Sequence, residues 1–272
     1  MVWPRRFASA LAADPTAMPA IPRPDRIDQR PVMRWFTDSA IEVPVVTTEQ
    51  MREIDRVAVD ETGPNLFQMM ENAGRNLALQ VMEILGATWN RAAIIVLAGS
   101  GGNGGGGICA ARHLANRGAN VKLCLAERHR LGAVPALQKQ IFDSASGTEI
   151  GIEDLERPAP DLIVDALIGY GLASAPAGRT ADLIRWANQS GAPILALDVP
   201  SGVDSTTGLT PGAFIRARWT MTLALPKSGL MPEKIGDLVL ADIGIPRATF
   251  DRAGVPYVSP FDNRFRVPLS RR

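Results

Sequence analysis

Ile94 to Leu114 reads IIVLAGSGGNGGGGICAARHL, and its succession of apolar run, bare loop and helix-forming stretch decides the fold. Glycine fills every position from 99 to 107 except Ser100 and Asn103. Without Cβ atoms that loop lets a ligand approach backbone N–H groups, and the helix after it turns its positive end toward an anion. A phosphate or dinucleotide site is therefore expected here. A Walker A loop is excluded, because no Gly-Lys-Ser/Thr follows. G-x-G-x-x-G fits from Gly99 and again from Gly102, but the acidic residue that an NAD dehydrogenase places at the end of the next strand is missing. Glu127 comes too late and is followed by Arg128, His129 and Arg130.

Upstream, Thr47 and Gln50 have the spacing of a capping box, with Met51, Ile54, Val57 and Ala58 on one helical face as far as Gly63. Pro64 is expected to open a second helix that runs to Gly86, in which Glu71, Asn72, Ala73 and Gly74 offer a close-approach face. Downstream, ANVKLCLA, DLIVDALIGYGL, PILALDVPSGVD, RWTMTLALPKSG and GDLVLADIGI read as strands, with amphipathic helices in AVPALQKQIFDSA and TADLIRWANQSG. Strands alternating with helices imply an α/β fold with a mostly parallel central sheet covered on both faces. Residues 1–40, rich in proline and without apolar period, read as a flexible arm, and the segment after Pro246 shows no clear element.

Composition narrows the function. A formal net charge of +1 over 272 residues argues against nucleic acid or an anionic membrane as partner. Two cysteines and two histidines leave little for a disulfide framework or zinc, and a cytoplasmic location fits. No stretch reaches 18 apolar residues.

In a parallel sheet the loops leaving the carboxyl ends of the strands share one edge, where ligands bind. Asn103, Asp165, Gly169 to Gly171, Asp198, Ser201 and Lys227 all fall on those loops or strand ends. Asp165 and Asp198 interrupt apolar runs, so each needs a cation, N–H donors or a proton as partner. The oxygen donors of Asp165, Ser201 and Asn103 suit an alkali or alkaline-earth cation rather than zinc. Asp198 is left as the candidate acid or base, with Lys227 paired to it or turned toward a substrate phosphate.

The same residues resemble a known family, the NAD(P)H-hydrate epimerases, or YjeF N-terminal domain. The resemblance rests on MREIDRVAVDETG, MMENAGRNLA, VLAGSGGNGGGGICAARHL, VDALIGYGL, ALDVPSGVDSTTG, and LALPKSGL with the closing GDLVLADIGIP. It implies a three-layer αβα Rossmann-like sandwich over residues 41–250, between the arm and a tail at 251–272. It also implies a homodimer that interconverts R and S forms of hydrated NADH and NADPH, and a separate ATP- or ADP-dependent dehydratase. The potassium ligands of the family fall on Asn103, Asp165 and Ser201, and the catalytic aspartate on Asp198, with Lys227 as electrostatic support. Substrate contacts fall on Gly102, Asn103, Gly104, Gly105 and Gly106, on Gly169, Tyr170, Gly171, Leu172, Ala173, Ser174 and Ala175, and on Asp198. One departure stands out: the family's usual Asn-Asn-Gly-Gly-Asp is Gly102, Asn103, Gly104, Gly105, Gly106 here. The alternative it raises is a nucleotide-binding or scaffold member without turnover.

Overall fold

The computed structural model describes residues 33–127, 130–145, 147–155 and 159–271. One ten-stranded sheet runs through them. Its strands are β1 (Trp35–Thr37), β2 (Glu42–Val43), β3 (Ile94–Ala98), β4 (Val121–Leu125), β5 (Thr148–Ile150), β6 (Leu162–Ala166), β7 (Ile194–Leu197), β8 (Trp219–Leu223), β9 (Asp237–Ala241) and β10 (Arg266–Arg271). The helices are α1 (Thr48–Val57), α2 (Leu66–Leu85), α3 (Gly102–Ala115), α4 (Ala133–Ser144), α5 (Gly178–Gln189), α6 (Pro232–Ile235) and α7 (Arg247–Arg252).

The spatial order is β2-β1-β10-β9-β8-β7-β6-β3-β4-β5, parallel from β9 to β5 and antiparallel at β10, β1 and β2. From β3 the chain builds outward through β4 and β5, then returns to the other side of β3 with β6 and proceeds through β7, β8 and β9. The order therefore reverses between β3 and β6, and that switch point opens a crevice at the strands' carboxyl ends.

Alternate residues of each central strand feed opposite faces. Ile94, Val96, Leu123, Val164 and Leu195 pack with Leu77 and Val81 of α2, Ile108 and Leu114 of α3 and Phe142 of α4. Ile95, Leu97, Ile163 and Ile194 pack with Leu183, Ile184 and Ala187 of α5. A third cluster joins Met51 and Ile54 of α1 and Phe250 of α7 to Leu238, Leu240, Val267 and Leu269 of the antiparallel half. Among the described residues no helix is long and apolar enough to cross a membrane.

Three local expectations change. The arm expected over residues 1–40 lies outside the described residues up to Val32, but Trp35–Thr37 is a strand with Trp35 and Thr37 buried, paired to β10. The tail after Pro246 forms α7 and β10, where Val267 and Leu269 point inward on either side of Pro268. The second helix is capped by Asn65 in a reciprocal box with Gln68, so Pro64 precedes the helix rather than opening it.

Candidate active site

The chain after β3 turns at Gly99 and enters α3 at Gly102. Gly101 supplies no side-chain cap, and the N–H groups of Gly102, Asn103 and Gly104 have no backbone acceptor among the described residues. Three donors at the positive end of a helix are thus left for an anion. Gly102, Asn103 and Gly106 line a cavity of about 520 Å³ together with Gly169, Tyr170, Gly171, Asp198 and Lys227. Of the strand-end residues singled out in the sequence, Asn103, Gly169 to Gly171, Asp198 and Lys227 therefore line one cavity, whereas Asp165 and Ser201 are not in its lining.

Not all of the residues expected around the substrate line the cavity. Gly104 and Gly105 face inward: a Cβ on Gly104 would lie 1.8 Å from the carbonyl oxygen of Gly99, and one on Gly105 2.2 Å from Met70 Sδ. The close packing of loop and helix requires glycine at both positions, while the Gly104 N–H stays without a backbone acceptor among the described residues. Leu172, Ala173, Ser174 and Ala175 are not in the cavity lining either, and Ala175 lies against Gly212.

Asp165 on β6 is fully buried behind the lining. Its carboxylate accepts from Ser201 N at 2.8 Å, Ser201 Oγ at 2.6 Å and Leu167 N at 3.2 Å. Ser201 Oγ in turn accepts from Ile168 N at 2.8 Å. Among the described residues no Lys, Arg or His forms an ion pair with Asp165, and burial pushes its pKa up to about 6 against those hydrogen bonds. Asn103 Nδ2 is buried without a partner, and its side chain lies against Gly169, beside the turn that Ser201 holds. The carboxylate without countercharge, the Ser201 hydroxyl and the carboxamide oxygen of Asn103 are oxygen donors of the kind that suits a hard monovalent cation.

Asp198 follows β7 directly, with φ of 68°, a left-handed conformation that costs a non-glycine residue on the order of 1–3 kcal/mol. Oδ1 accepts from Lys227 Nζ, from Leu223 N at 3.3 Å and from Thr222 Oγ1 at 3.4 Å; Oδ2 accepts from Tyr170 N at 3.2 Å. Lys227 is 1% exposed and Asp198 3%, so the pair is held out of water. Lys227 also donates to the Leu223 carbonyl at 2.8 Å. Its backbone is fixed from outside the sheet, because Val46 N donates to Pro226 O and Ser228 N to Val46 O.

Helix α1 contributes what the sequence reading overlooked. Met51, Arg52 and Asp55 line the cavity, as do Leu66, Met69, Met70 and Ala73 of α2. Asp55 Oδ2 accepts from the Tyr170 hydroxyl at 2.5 Å, and burial raises the pKa of both groups. Arg52 is exposed at the mouth without an ion-pair partner among the described residues, whereas Arg56 one turn on is tied to Glu53 and Glu61. The available signal was the spacing of Met51 and Asp55, four apart on one helical face.

A family model described as YjeF-related protein N-terminus matches residues 66–229. The NAD(P)H-hydrate epimerase of Dehalogenimonas lykanthroporepellens is 49% identical over 239 residues, 88% of this chain and 98% of that protein. That of Rhodopirellula baltica is 34% identical, over 80% of this chain and 91% of its own length. A bifunctional NAD(P)H-hydrate repair enzyme of Salinibacter ruber is 37% identical over 77% of this chain, which spans 42% of that longer protein. The fold is shared with a yeast protein of known crystal structure, at a TM-score of 0.72 and 22% identity, over 83% of this chain and all of that one.

Proposed function

This chain belongs to the YjeF N-terminal family, and from that premise we propose that it is an NAD(P)H-hydrate epimerase, interconverting the R and S forms of hydrated NADH and NADPH. The observation that carries this reading is the buried Asp198–Lys227 pair at the floor of a cavity open at the switch point. The reaction removes and restores a hydroxyl on the ring carbon next to the nicotinamide nitrogen. A proton joins the leaving hydroxyl, water departs, and the nitrogen lone pair stabilises the cationic ring. Water then adds to either face and gives a proton back, so atoms and charge balance without oxidation.

Asp198 is the station for that proton and the negative charge that faces the cationic ring. Oδ1 is occupied by three donors, so Oδ2, which among the described residues receives only the Tyr170 N–H, is the oxygen free to act. Lys227 holds the carboxylate in place. The N–H groups at the start of α3 and the Arg52 guanidinium suit the substrate's phosphates, and Met51, Leu66, Met69 and Met70 supply apolar surface for its rings. Asn103, Asp165 and Ser201 would hold a potassium ion, which would supply positive charge next to the substrate site. The same reading includes a homodimer, a cytoplasmic location and a separate dehydratase acting on the S form.

The test is to follow equilibration of separated R and S hydrates with purified protein. We expect acceleration by the wild type and a loss of at least about 100-fold in Asp198→Ala. Hydrates that bind without faster equilibration would replace this reading by a silent binding member, the case that Gly102 and Gly106 raise. The retained ion pair and open cavity favour turnover.

A further inference from the structure

The turn carrying Gly169, Tyr170 and Gly171 supplies the only hydrogen bond that Asp198 Oδ2 receives among the described residues, through the Tyr170 N–H. Three further contacts hold Tyr170. Its carbonyl accepts from Ser205 Oγ at 2.8 Å, its ring lies 5.9 Å from Lys227 Nζ, and its hydroxyl donates to Asp55. Of these three contacts the hydroxyl's is the one that reaches a helix, and it joins residues 115 apart in sequence. A bond to a carboxylate is shorter and stronger than a neutral one, and the partial burial of Asp55 limits competition from water.

We propose that Asp55 is a positioning residue, which anchors the Tyr170 hydroxyl to α1 and thereby keeps the Tyr170 N–H directed at the working oxygen of Asp198. The inference rests on the epimerase reading for its kinetic arm only. Without the anchor the turn keeps the Ser205 contact but gains freedom at the ring, and the Asp198 carboxylate loses its fixed orientation. The cost falls on the chemical step, where a small misplacement is expensive, and little on substrate affinity.

The experiment compares Asp55→Ala, Asp55→Asn, Tyr170→Phe and the Asp55→Ala/Tyr170→Phe double variant. Each is measured for kcat, KM and backbone amide exchange of the 168–171 segment. We expect Asp55→Ala and Tyr170→Phe each to lower kcat about tenfold with KM within about twofold. The double variant should lose no more than either single change, because both remove the same contact. Asp55→Asn, whose amide oxygen still accepts from the hydroxyl, should recover most of the rate. Exchange of the segment should rise in Asp55→Ala and Tyr170→Phe. Unchanged kcat, losses that multiply in the double variant, or unaltered exchange would overturn the proposal. A wild type that does not speed equilibration would overturn the epimerase reading instead, and the exchange measurements would still decide on the anchor.

Discussion

At the scale of single residues, Asp165 has the clearest pH signature. Burial raises its pKa from 3.8 to about 6, so above pH 4 the unfolded chain gives up this proton while the folded chain keeps it. The native state then binds more protons than the unfolded one, and stability falls as pH rises from about 4 to about 6, by on the order of 3 kcal/mol in the absence of a cation. A bound cation offsets that loss by stabilising the charged form. Potassium chloride should therefore raise the thermal midpoint over choline chloride at pH 7.5 and have little effect at pH 4.5, and Asp165→Asn should remove the difference. An equal response at both pH values would contradict the assignment of the cation to this carboxylate. Asp165 and Asp198 were legible in the sequence, because an acid inside an apolar strand run demands a partner. Asp55 was not: it stands between other charged residues, Arg52, Glu53 and Arg56, and its partner is remote in the chain.

Among the elements, α2 and α3 meet through small residues. A Cβ on Gly74 would come within 2.4 Å of Cys109 Cβ and 2.9 Å of the Gly106 carbonyl oxygen. Gly74→Ala gains up to about 1 kcal/mol of helix propensity but overpacks this crossing, at a cost of about 1–3 kcal/mol or more. We expect a net loss of stability in urea unfolding, with activity following as the shift reaches Gly106 in the cavity wall. Beside this crossing Glu71 of α2 takes the Arg112 guanidinium at 2.6 Å, and its pKa is lowered to about 2 as hydrogen bonds from Arg112 and Gln138 outweigh burial. Helices α1 to α5 and the central strands were readable because their apolar periods and runs are long enough to show. β1, β2 and β5 are two or three residues each, too short to show a period, and Pro268 made β10 look like a tail. The Asn65 box was hidden by Pro64, itself a plausible helix opener.

At the scale of the whole molecule, the position of the cavity follows from the strand order alone, and the parallel order follows from the βα alternation in the sequence. The antiparallel extension does not. It exists because β9 would otherwise end the sheet with an open edge, and β10 closes that edge while burying Val267 and Leu269 against Leu238 and Leu240. Removing residues 266–272 should cost about 3–6 kcal/mol from those two side chains, together with the exposed ladder. We expect aggregation on size-exclusion chromatography, and a monodisperse, fully stable product would show that β10 is dispensable. The pairing of Trp35 with Arg271 has a consequence for biosynthesis. During translation β1 emerges long before β10, so every element between them must leave the ribosome before that hem of the molecule can be stitched.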